Sequence, residues 1–175
     1  MIRFLRQEEY DRTRPLNELC FPDEEFSAEY YDGGVINRSR IAVKEIGAEI
    51  VSEAHVAPRT LWYHRADGTQ YTVNVPYIFC VATHPEYRHR GYMDEVLSLV
   101  LDTLREEGCP FAFLVPVDQR IYRHLGFVYD WSFRPEEADI LYADDGLTQC
   151  SAKLLCADTF CRPERITDAS ISGEK

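Results

Sequence analysis

A basic turn formed by Arg88, His89 and Arg90 stands between an apolar run, residues 77–82, and a segment with helical periodicity that begins after Gly91. This order predicts a strand, a tight turn and a helix. The free N–H groups at the amino end of a helix, together with the positive end of its dipole, attract phosphate groups. The cations of the turn add to that attraction. The pattern therefore favours a site for a ligand that carries pyrophosphate.

The predicted helix after the turn has one apolar stripe, which would pack on a sheet. Gly108 follows the stripe and predicts the end of the helix. The next apolar run, residues 111–115, is typical of a strand that is buried on both faces. Because a helix connects this run with residues 77–83, the two strands are expected to pair in parallel. The stripe consists of Met93, Leu97, Val100, Leu101 and Leu104.

The amino-terminal residues predict one strand and two helices. Residues 2–6 alternate apolar and charged side chains, as a strand near the edge of a sheet does. Helical segments are predicted at residues 7–21 and 23–31. Pro15 lies inside the first of them, so a kink or a late start is expected there.

Two pairs of strand-like runs precede the apolar run. Residues 40–46 and 49–57 predict an antiparallel hairpin in the middle of the sheet. Residues 60–64 and 70–75 predict an added ribbon. Pro76 cannot donate to a strand ladder, so a bulge or a strand boundary is expected at that position.

The carboxyl-terminal part carries weaker signals. Residues 118–125 predict a short helix capped by Asp118. Residues 128–133 predict a strand, and residues 140–142 and 149–155 predict a further hairpin.

The length and the order of these elements predict the fold class. With 175 residues, the chain fits one domain. Residues 1–161 are expected to form an α/β (α+β) domain with a mixed central sheet and helices on both faces. Residues 162–175 are polar and are expected to form a tail.

The net charge of −11 argues against a nucleic-acid-binding protein, which would present a basic face to phosphates. An acidic protein is better suited to binding a cationic small molecule than to binding a nucleic acid. Acidity that only keeps the protein in solution is the alternative explanation. Against this acidic background the basic turn stands out.

The cysteines and the amino-terminal residues indicate the cellular compartment of the protein. The six cysteines include no Cys-x-x-Cys pair and are interpreted as free thiols in a reducing compartment. Their spacing matches no zinc pattern, so no metal site is predicted. No long apolar segment follows the amino terminus, which predicts neither a secretory signal nor a membrane span. The sequence is therefore interpreted as cytoplasmic, and it leaves a homo-oligomer open.

Two segments together resemble a known family. Residues 81–93 contain Arg88-His89-Arg90-Gly91-Tyr92-Met93, and residues 122–127 read Tyr-Arg-His-Leu-Gly-Phe. They are similar to the two signature segments of the GNAT superfamily of N-acetyltransferases, and the resemblance extends from Ile2 to about Phe133. It implies a GNAT-like fold and acetyl-CoA as the acetyl donor. It also implies transfer to a primary amine, of a small cationic molecule or a lysine, by direct attack in a ternary complex.

Two features resemble the Eis-like branch of that superfamily. Met93 stands where the common pattern has Gly or Ala, and a ribbon is added around Asp67 and Gly68. Eis-like chains usually continue into further domains, so the sequence is expected to be either a short relative or a fragment. The alternative function is a non-catalytic acetyl-CoA-binding regulatory module with the same fold.

The resemblance also implies roles for individual residues. Tyr122 would be the general acid that protonates the coenzyme A thiolate. The base stays open between Glu53, His55, Tyr77 and His84, or a water chain. Asp94 and Glu95 would oppose a bound anion, although acidic residues are also common in a first helical turn. The residues implied to bind the cofactor are Val81, Thr83, Arg88, His89, Arg90, Gly91, Tyr92 and Met93.

Overall fold

The computed structural model describes residues 1–64, 70–109, 111–129 and 151–154. The chain forms two compact units: Met1–Ala57 with Ile78–Thr103, and Pro58–Tyr77 with Leu104–Lys175. Within the described residues, no helix combines the length and the apolar character needed to cross a membrane.

Four strands run through the first unit, and the last two of them extend into the second. They are β1 (Ile2–Phe4), β2 (Arg40–Ile46), β3 (Glu49–His64) and β4 (Gln70–Thr83), in the spatial order β1-β2-β3-β4. β1 and β2 are antiparallel with Phe4 opposite Ala42, and β2 and β3 are antiparallel with Val43 opposite Glu53. The predicted edge strand and the predicted hairpin are therefore confirmed.

The long strands β3 and β4 correct one prediction. Residues 60–64 and 70–75 are not a separate ribbon, because β3 continues to His64 and β4 continues from Gln70 through Pro76 to Thr83. Of the two alternatives predicted at Pro76, a bulge or a strand boundary, the boundary is therefore wrong. A proline forfeits one N–H donor but keeps a φ that an extended strand accepts, so the strand passes through it. The predicted turn at Asp67 and Gly68 lies outside the described residues.

Short helical segments cover the residues between β1 and β2. A 3₁₀ segment spans Gln7–Thr13, and α1 (Arg14–Cys20) begins with Pro15 in its first turn, which confirms the predicted late start. α2 (Glu24–Ser27) is capped by the side chain of Asp23, which accepts a hydrogen bond from the Phe26 N–H.

A single π-helical turn, Ala28–Asp32, continues α2. It brings Tyr30 and Tyr31 side by side into the core, with 3% and 6% of their surfaces exposed. π turns are rare and occur frequently at functional sites. The core around these two tyrosines is formed by Leu5, Tyr10, Leu16, Ile36, Ile41, Val43, Ile50 and Ala82.

α3 (Tyr92–Glu106) follows the basic turn, as predicted. Val96, Leu97 and Val100 are fully buried along one side of it. Gly108, with a φ of +75°, ends the helix in the left-handed conformation that favours glycine.

The second unit contains β5 (Phe111–Leu114), β6 (Val128–Tyr129) and β7 (Ser151–Leu154) in the order β5-β7-β6, with antiparallel pairing. All four residues of β5 are buried, as predicted. The predicted helix at residues 118–125 is wrong in type, because Tyr122 separates two 3₁₀ turns, Gln119–Ile121 and Arg123–Leu125.

Several sequence predictions lie outside the described residues. They concern the strand at residues 140–142, most of the strand at residues 128–133 and the tail at residues 162–175. Of the cysteines, Cys20, Cys80 and Cys109 are thiols rather than disulfides. Cys150, Cys156 and Cys161 are outside the described residues.

Candidate active site

The end of β4 is fixed against β3 by side-chain and main-chain hydrogen bonds. The hydroxyl of Ser52 donates to the carbonyl of Ala82 over 2.9 Å and lies 2.9 Å from the hydroxyl of Thr83. The N–H of His84 donates to the carbonyl of Val51 over 2.9 Å. The strand end that carries Thr83 is therefore held rigidly where the basic turn begins.

β4 contains a left-handed residue, Cys80, with a φ of +45°. Side chains of a regular strand alternate between its two faces, so residues 79 and 82 would face opposite sides. Here Phe79 and Ala82 both pack in the core around Tyr30. The irregularity at Cys80 therefore shifts the alternation just before Val81, and bulges of this kind often re-aim residues next to active sites.

Two left-handed residues shape the basic turn. His84 caps a 3₁₀ turn at Pro85–Tyr87 by accepting the Glu86 N–H on Nδ1 over 3.3 Å. His89 then has a φ of +62° and Gly91 a φ of +78°. A Cβ added at Gly91 would meet no atom within 4 Å. Glycine is therefore favoured there by its positive φ and not by a lack of space. Turns of this kind direct successive N–H groups to one side and bind anions.

The two arginines of the turn hold its backbone. Arg88 Nε donates to the carbonyl of Thr83 over 3.1 Å, and Arg90 Nη2 donates to the carbonyl of Glu86 over 3.0 Å. The Arg90 guanidinium also lies over the ring of Tyr87, 5.1 Å from its centre. Both arginines are exposed, so their charges stay at the surface beside the amino end of α3.

The first turn of α3 contains a carboxylate that could repel an anion, but its charge is compensated. Glu95 forms an ion pair with Lys44 of β2, and Lys44 Nζ lies 4.9 Å from the centre of the Tyr92 ring. The Glu95 N–H donates to the carbonyl of Gly91 over 3.0 Å, which joins the helix to the turn. The expected repulsion at this carboxylate is therefore reduced. Asp94 is half-buried in the same turn.

Tyr122 lies in the second unit, at the start of a tight loop. Its carbonyl accepts the N–H groups of Leu125 and Phe127 over 3.1 and 3.3 Å. Gly126, with a φ of +81°, turns the chain back so that the Phe127 ring packs edge-on against Tyr122. The segment from Tyr122 to Phe127 thus forms one closed loop, which explains the sequence interval between the tyrosine and Gly126-Phe127. Burial raises the pKa of the Tyr122 phenol, which keeps its proton in place at neutral pH.

Asn17, Glu53 and His55 form what we call the buried polar cluster. None of the three has any exposed surface. Asn17 Nδ2 donates to Glu53 Oε1 over 3.4 Å, and the same oxygen lies 3.7 Å from His55 Nε2. Burial raises the pKa of Glu53, because a carboxylate is poorly solvated there.

A second set of contacts anchors His55. Its Nδ1 lies 2.8 Å from the hydroxyl of Tyr30, which donates to the hydroxyl of Ser39 over 3.1 Å. The Ser39 carbonyl in turn accepts the hydroxyl of Tyr10 over 2.9 Å. The buried polar cluster is therefore tied to the π-helical turn at Tyr30.

The four candidate bases have different surroundings. Glu53 and His55 lie together in the buried polar cluster. His84 uses Nδ1 to cap the turn. Tyr77 lies in the second unit, where its ring stacks on Phe113 with centres 4.9 Å apart.

Four residues that contact the site from other elements were not predicted from the sequence: Asn17, Tyr30, Lys44 and Ser52. The only local signal is the succession of polar residues 52, 53 and 55 in an apolar strand. The residues predicted to bind the cofactor lie on three consecutive elements. Val81 and Thr83 are at the end of β4, and residues 88–93 form the turn and the start of α3.

Comparisons with known proteins agree with this geometry. A model of the acetyltransferase (GNAT) domain matches residues 1–129. A search of curated proteins gave no match. Among solved structures, a probable N-acyltransferase from Enterococcus faecalis is similar with a TM-score of 0.62 and 20% identity, over 74% of this chain and 32% of that chain.

Two further structures share the fold. An N-acetyltransferase of the GNAT family from Escherichia coli, solved in complex with CoA, has a TM-score of 0.66 and 14% identity over 90% of this chain and 82% of that chain. Eis1 from Mycobacterium abscessus has a TM-score of 0.60 and 18% identity over 73% of this chain and 31% of that chain. The chain thus spans about a third of the Enterococcus and Mycobacterium proteins. The predicted α/β fold class is confirmed.

Proposed function

The chain belongs to the GNAT family of acetyltransferases, and from this we propose that it is an N-acetyltransferase that transfers an acetyl group from acetyl-CoA to a primary amine. Acetyl-CoA is the donor that this family uses, and it supplies the acetyl group as an activated thioester. The observation that carries the proposal is the left-handed turn at His89 and Gly91, which joins the end of β4 to the amino end of α3.

The basic turn suits the pyrophosphate of the coenzyme. Main-chain N–H groups of residues 90–93 lie at the amino end of a helix of 15 residues, where an anion is favoured. Arg88, His89 and Arg90 add positive charge at this position in a chain whose net charge is −11. Tyr92 and Met93 complete the turn with their main chain.

The end of β4 suits the pantetheine arm and the acetyl group. Val81 and Thr83 are half-buried next to the left-handed residue Cys80, and we assign the hydrogen bonds with the arm to their main-chain groups. Ser52 holds this strand end in place. A rigid strand end orients the thioester for attack, and orientation is a large part of catalysis between two substrates.

Tyr122 is proposed as the general acid. Its loop, closed by Gly126 and Phe127, presents a phenol whose pKa is raised by burial. Such a phenol is protonated at neutral pH and can donate to a leaving thiolate.

The acceptor is proposed to be a primary amine, either of a small cationic molecule or of a lysine. Its nitrogen attacks the thioester directly in a ternary complex, without an acetylated protein residue. The net charge of −11 favours a cationic acceptor over an anionic one.

The Eis-like branch is proposed for the chain on two grounds. Met93 replaces the small residue of the common pattern, and Eis1 shares the fold at 18% identity. Within this proposal residues 1–161 form the acetyltransferase domain and residues 162–175 a polar tail.

The proposed function is tested by release of the coenzyme A thiol from acetyl-CoA over a panel of primary amines, with the acetylated product identified by mass. We expect amine-dependent release. If acetyl-CoA binds in calorimetry but no amine gives release, the chain is a non-catalytic acetyl-CoA-binding module. If acetyl-CoA does not bind at all, the assignment of the turn is wrong as well.

A further inference from the structure

Lys44 connects strand β2 with the first turn of α3. Its ammonium forms an ion pair with the carboxylate of Glu95 and lies 4.9 Å from the centre of the Tyr92 ring. The pair is partly shielded from solvent, since 18% of the Lys44 side chain and 39% of the Glu95 side chain are exposed. Both partners of Lys44 therefore belong to the helix end that we assign to the pyrophosphate, whereas Lys44 itself belongs to another element.

The pairing of the strands directs Lys44 to the face of the sheet that carries the candidate site. Lys44 lies opposite Ser52 in the antiparallel pairing of β2 and β3, and residues directly opposite each other point to the same face. The Ser52 hydroxyl lies 2.9 Å from the hydroxyl of Thr83. Lys44, Ser52 and Thr83 therefore form a row across β2, β3 and β4, which ends at the strand end that we assign to the acetyl group.

The adjacent carboxylate of Glu45 has other cationic partners. Successive side chains of a strand point to opposite faces, and Glu45 pairs with Arg3 and Arg12 over 3.0 and 2.7 Å. The charge of Lys44 is thus directed to Glu95, 51 positions away in the sequence.

An aromatic pair extends the contact of Lys44 into the basic turn. The centres of the Tyr92 and Tyr87 rings are 6.4 Å apart, which is within the range at which aromatic rings attract each other. The Arg90 guanidinium lies over the Tyr87 ring, 5.1 Å from its centre. Each ring thus has one cation against it, and aromatic rings attract cations. Lys44 and Arg90 hold the pair between the start of α3 and the turn.

The charge of Glu95 opposes the ligand that this helix end is proposed to bind. A carboxylate in a first helical turn interacts favourably with the helix dipole when no anion is bound, but it repels a pyrophosphate. The ammonium of Lys44 neutralises this carboxylate. Without Lys44, the first turn of α3 would lose the positive charge that β2 supplies to it.

We propose that Lys44 is a positioning residue of the acetyl-CoA site, because it neutralises Glu95 and holds the Tyr92 ring at the amino end of α3. This role rests on the acetyl-CoA site of the proposed function and extends that site to β2. Lys44 acts through Glu95 and Tyr92, and we assign it no contact with the reacting atoms. Its loss should therefore change the affinity for acetyl-CoA, whichever amine accepts the acetyl group.

The test measures the Kd of acetyl-CoA by titration calorimetry in the parent, Lys44→Gln, Glu95→Gln and the double variant. We expect Lys44→Gln to weaken binding about fivefold, because the carboxylate of Glu95 then repels the pyrophosphate without compensation. Glu95→Gln should tighten binding by a similar factor, since it leaves the ammonium of Lys44 without its carboxylate. The double variant has the same local charge as the parent and should bind within about twofold of it.

Arg14→Gln is the matched control. Arg14 also pairs with carboxylates, those of Glu18 and Asp32, and it lies 5.4 Å from the centre of the Tyr31 ring. It belongs to α1, outside the turn and α3. Arg14→Gln removes one positive charge from a similar environment and should leave the Kd unchanged. An equal loss of affinity in Arg14→Gln and Lys44→Gln would overturn the role, because net charge alone would then explain both.

The dependence on salt separates an effect of charge from a distorted turn. The Kd of Lys44→Gln divided by that of the parent should fall from about fivefold towards one as the salt concentration rises from about 0.05 M to about 0.5 M, because salt screens exposed charges. A distorted turn would keep this ratio at every salt concentration. Lys44→Arg keeps the charge and should keep the parental Kd.

Three results would each overturn the role of Lys44. They are a parental Kd in Lys44→Gln, a ratio that does not change with salt, and a Glu95→Gln variant that binds no more tightly than the parent. The last result decides even if Lys44→Gln does not fold.

The same experiments distinguish this role from the proposed function. A parent that binds acetyl-CoA with the expected effects of the variants but acetylates no amine supports the role of Lys44 and contradicts the proposed activity. An active parent whose Kd does not respond to the variants overturns the role of Lys44 alone. A parent that does not bind acetyl-CoA overturns both.

Discussion

Arg88 Nε donates a hydrogen bond to the main-chain carbonyl of Thr83 over 3.1 Å, so the basic turn closes back on the strand that it follows. The two residues belong to different parts of the proposed coenzyme site, the pyrophosphate turn and the pantetheine strand. The bond holds an exposed guanidinium next to the strand end. We infer that the Arg88 side chain both supplies positive charge to the turn and stabilises the backbone conformation of the turn.

Arg88→Ala should weaken acetyl-CoA binding about tenfold, which corresponds to about 1.4 kcal/mol. The variant removes a positive charge beside the pyrophosphate site and one bond that braces the turn. Titration calorimetry measures the Kd. The matched control is Arg6→Ala, since Arg6 is also an exposed arginine, with 75% of its side chain accessible, and lies outside the site. An Arg88→Ala variant with the parental Kd would contradict the assignment of the turn.

Gly91→Ala should reduce both stability and acetyl-CoA affinity. At a φ of +78° an alanine is strained by about 1 kcal/mol, which lowers Tm by about 2–4 °C. Gly47→Ala is the matched control, because Gly47 has a φ of +62° and a Cβ there also meets no atom within 4 Å. We expect a similar loss of Tm in both variants, but weaker acetyl-CoA binding only in Gly91→Ala. Equal affinities in the two variants would show that Gly91 has no part in the site.

Tyr122→Phe should lower kcat about 100-fold with little change in acetyl-CoA affinity. The phenylalanine keeps the ring that packs against Phe127 and removes only the proton donor. Because burial raises the pKa of Tyr122, the parent should keep its activity at mildly alkaline pH. Tyr31→Phe is the control for loss of a buried hydroxyl, and it removes the contact with the hydroxyl of Thr13. A Tyr122→Phe variant with parental kcat would exclude the acid role.

Glu45 should stabilise the protein at neutral pH and lose this effect in acid. Its hydrogen bond with Arg3 lowers the pKa of the Glu45 carboxyl, with Arg12 adding to the effect. A lowered folded-state pKa gives stability that is present above the unfolded pKa of about 4.5 and disappears as the pH falls through the folded value. The free energy of unfolding of the parent minus that of Glu45→Gln should therefore shrink as the pH falls below about 4.5.

The exposed carboxylate Glu8, with 67% of its side chain accessible, provides the control for this pH dependence. The difference between the parent and Glu8→Gln should be small at every pH, because exposed ion pairs contribute little. A difference for Glu45→Gln that stays constant from neutral to acid pH would contradict the account of the Glu45 ion pairs.

Features with strong local signals were predicted from the sequence. Pro15 indicated the late start of α1, and Gly108 indicated the end of α3. The basic turn was predicted from its composition and from the change of periodicity around it. These features follow from backbone preferences of a few consecutive residues, which the sequence displays directly.

Features that depend on distant residues were not predicted. Nothing near Glu53 indicates that Asn17, 36 positions away, would contact it in the core. Lys44 likewise compensates Glu95 from 51 positions away. Cys80 adopts a left-handed φ in a strand whose local sequence favours a regular conformation, and no local signal predicts it.

Acetyl transfer from acetyl-CoA to a primary amine is the activity that we propose for the chain. The most direct test compares thiol release with a primary amine and with the same molecule as a quaternary trimethylammonium, which keeps the charge but cannot be acetylated. We predict release and an N-acetylated product with the primary amine only. Equal release with both compounds, or none with any primary amine, would contradict the account.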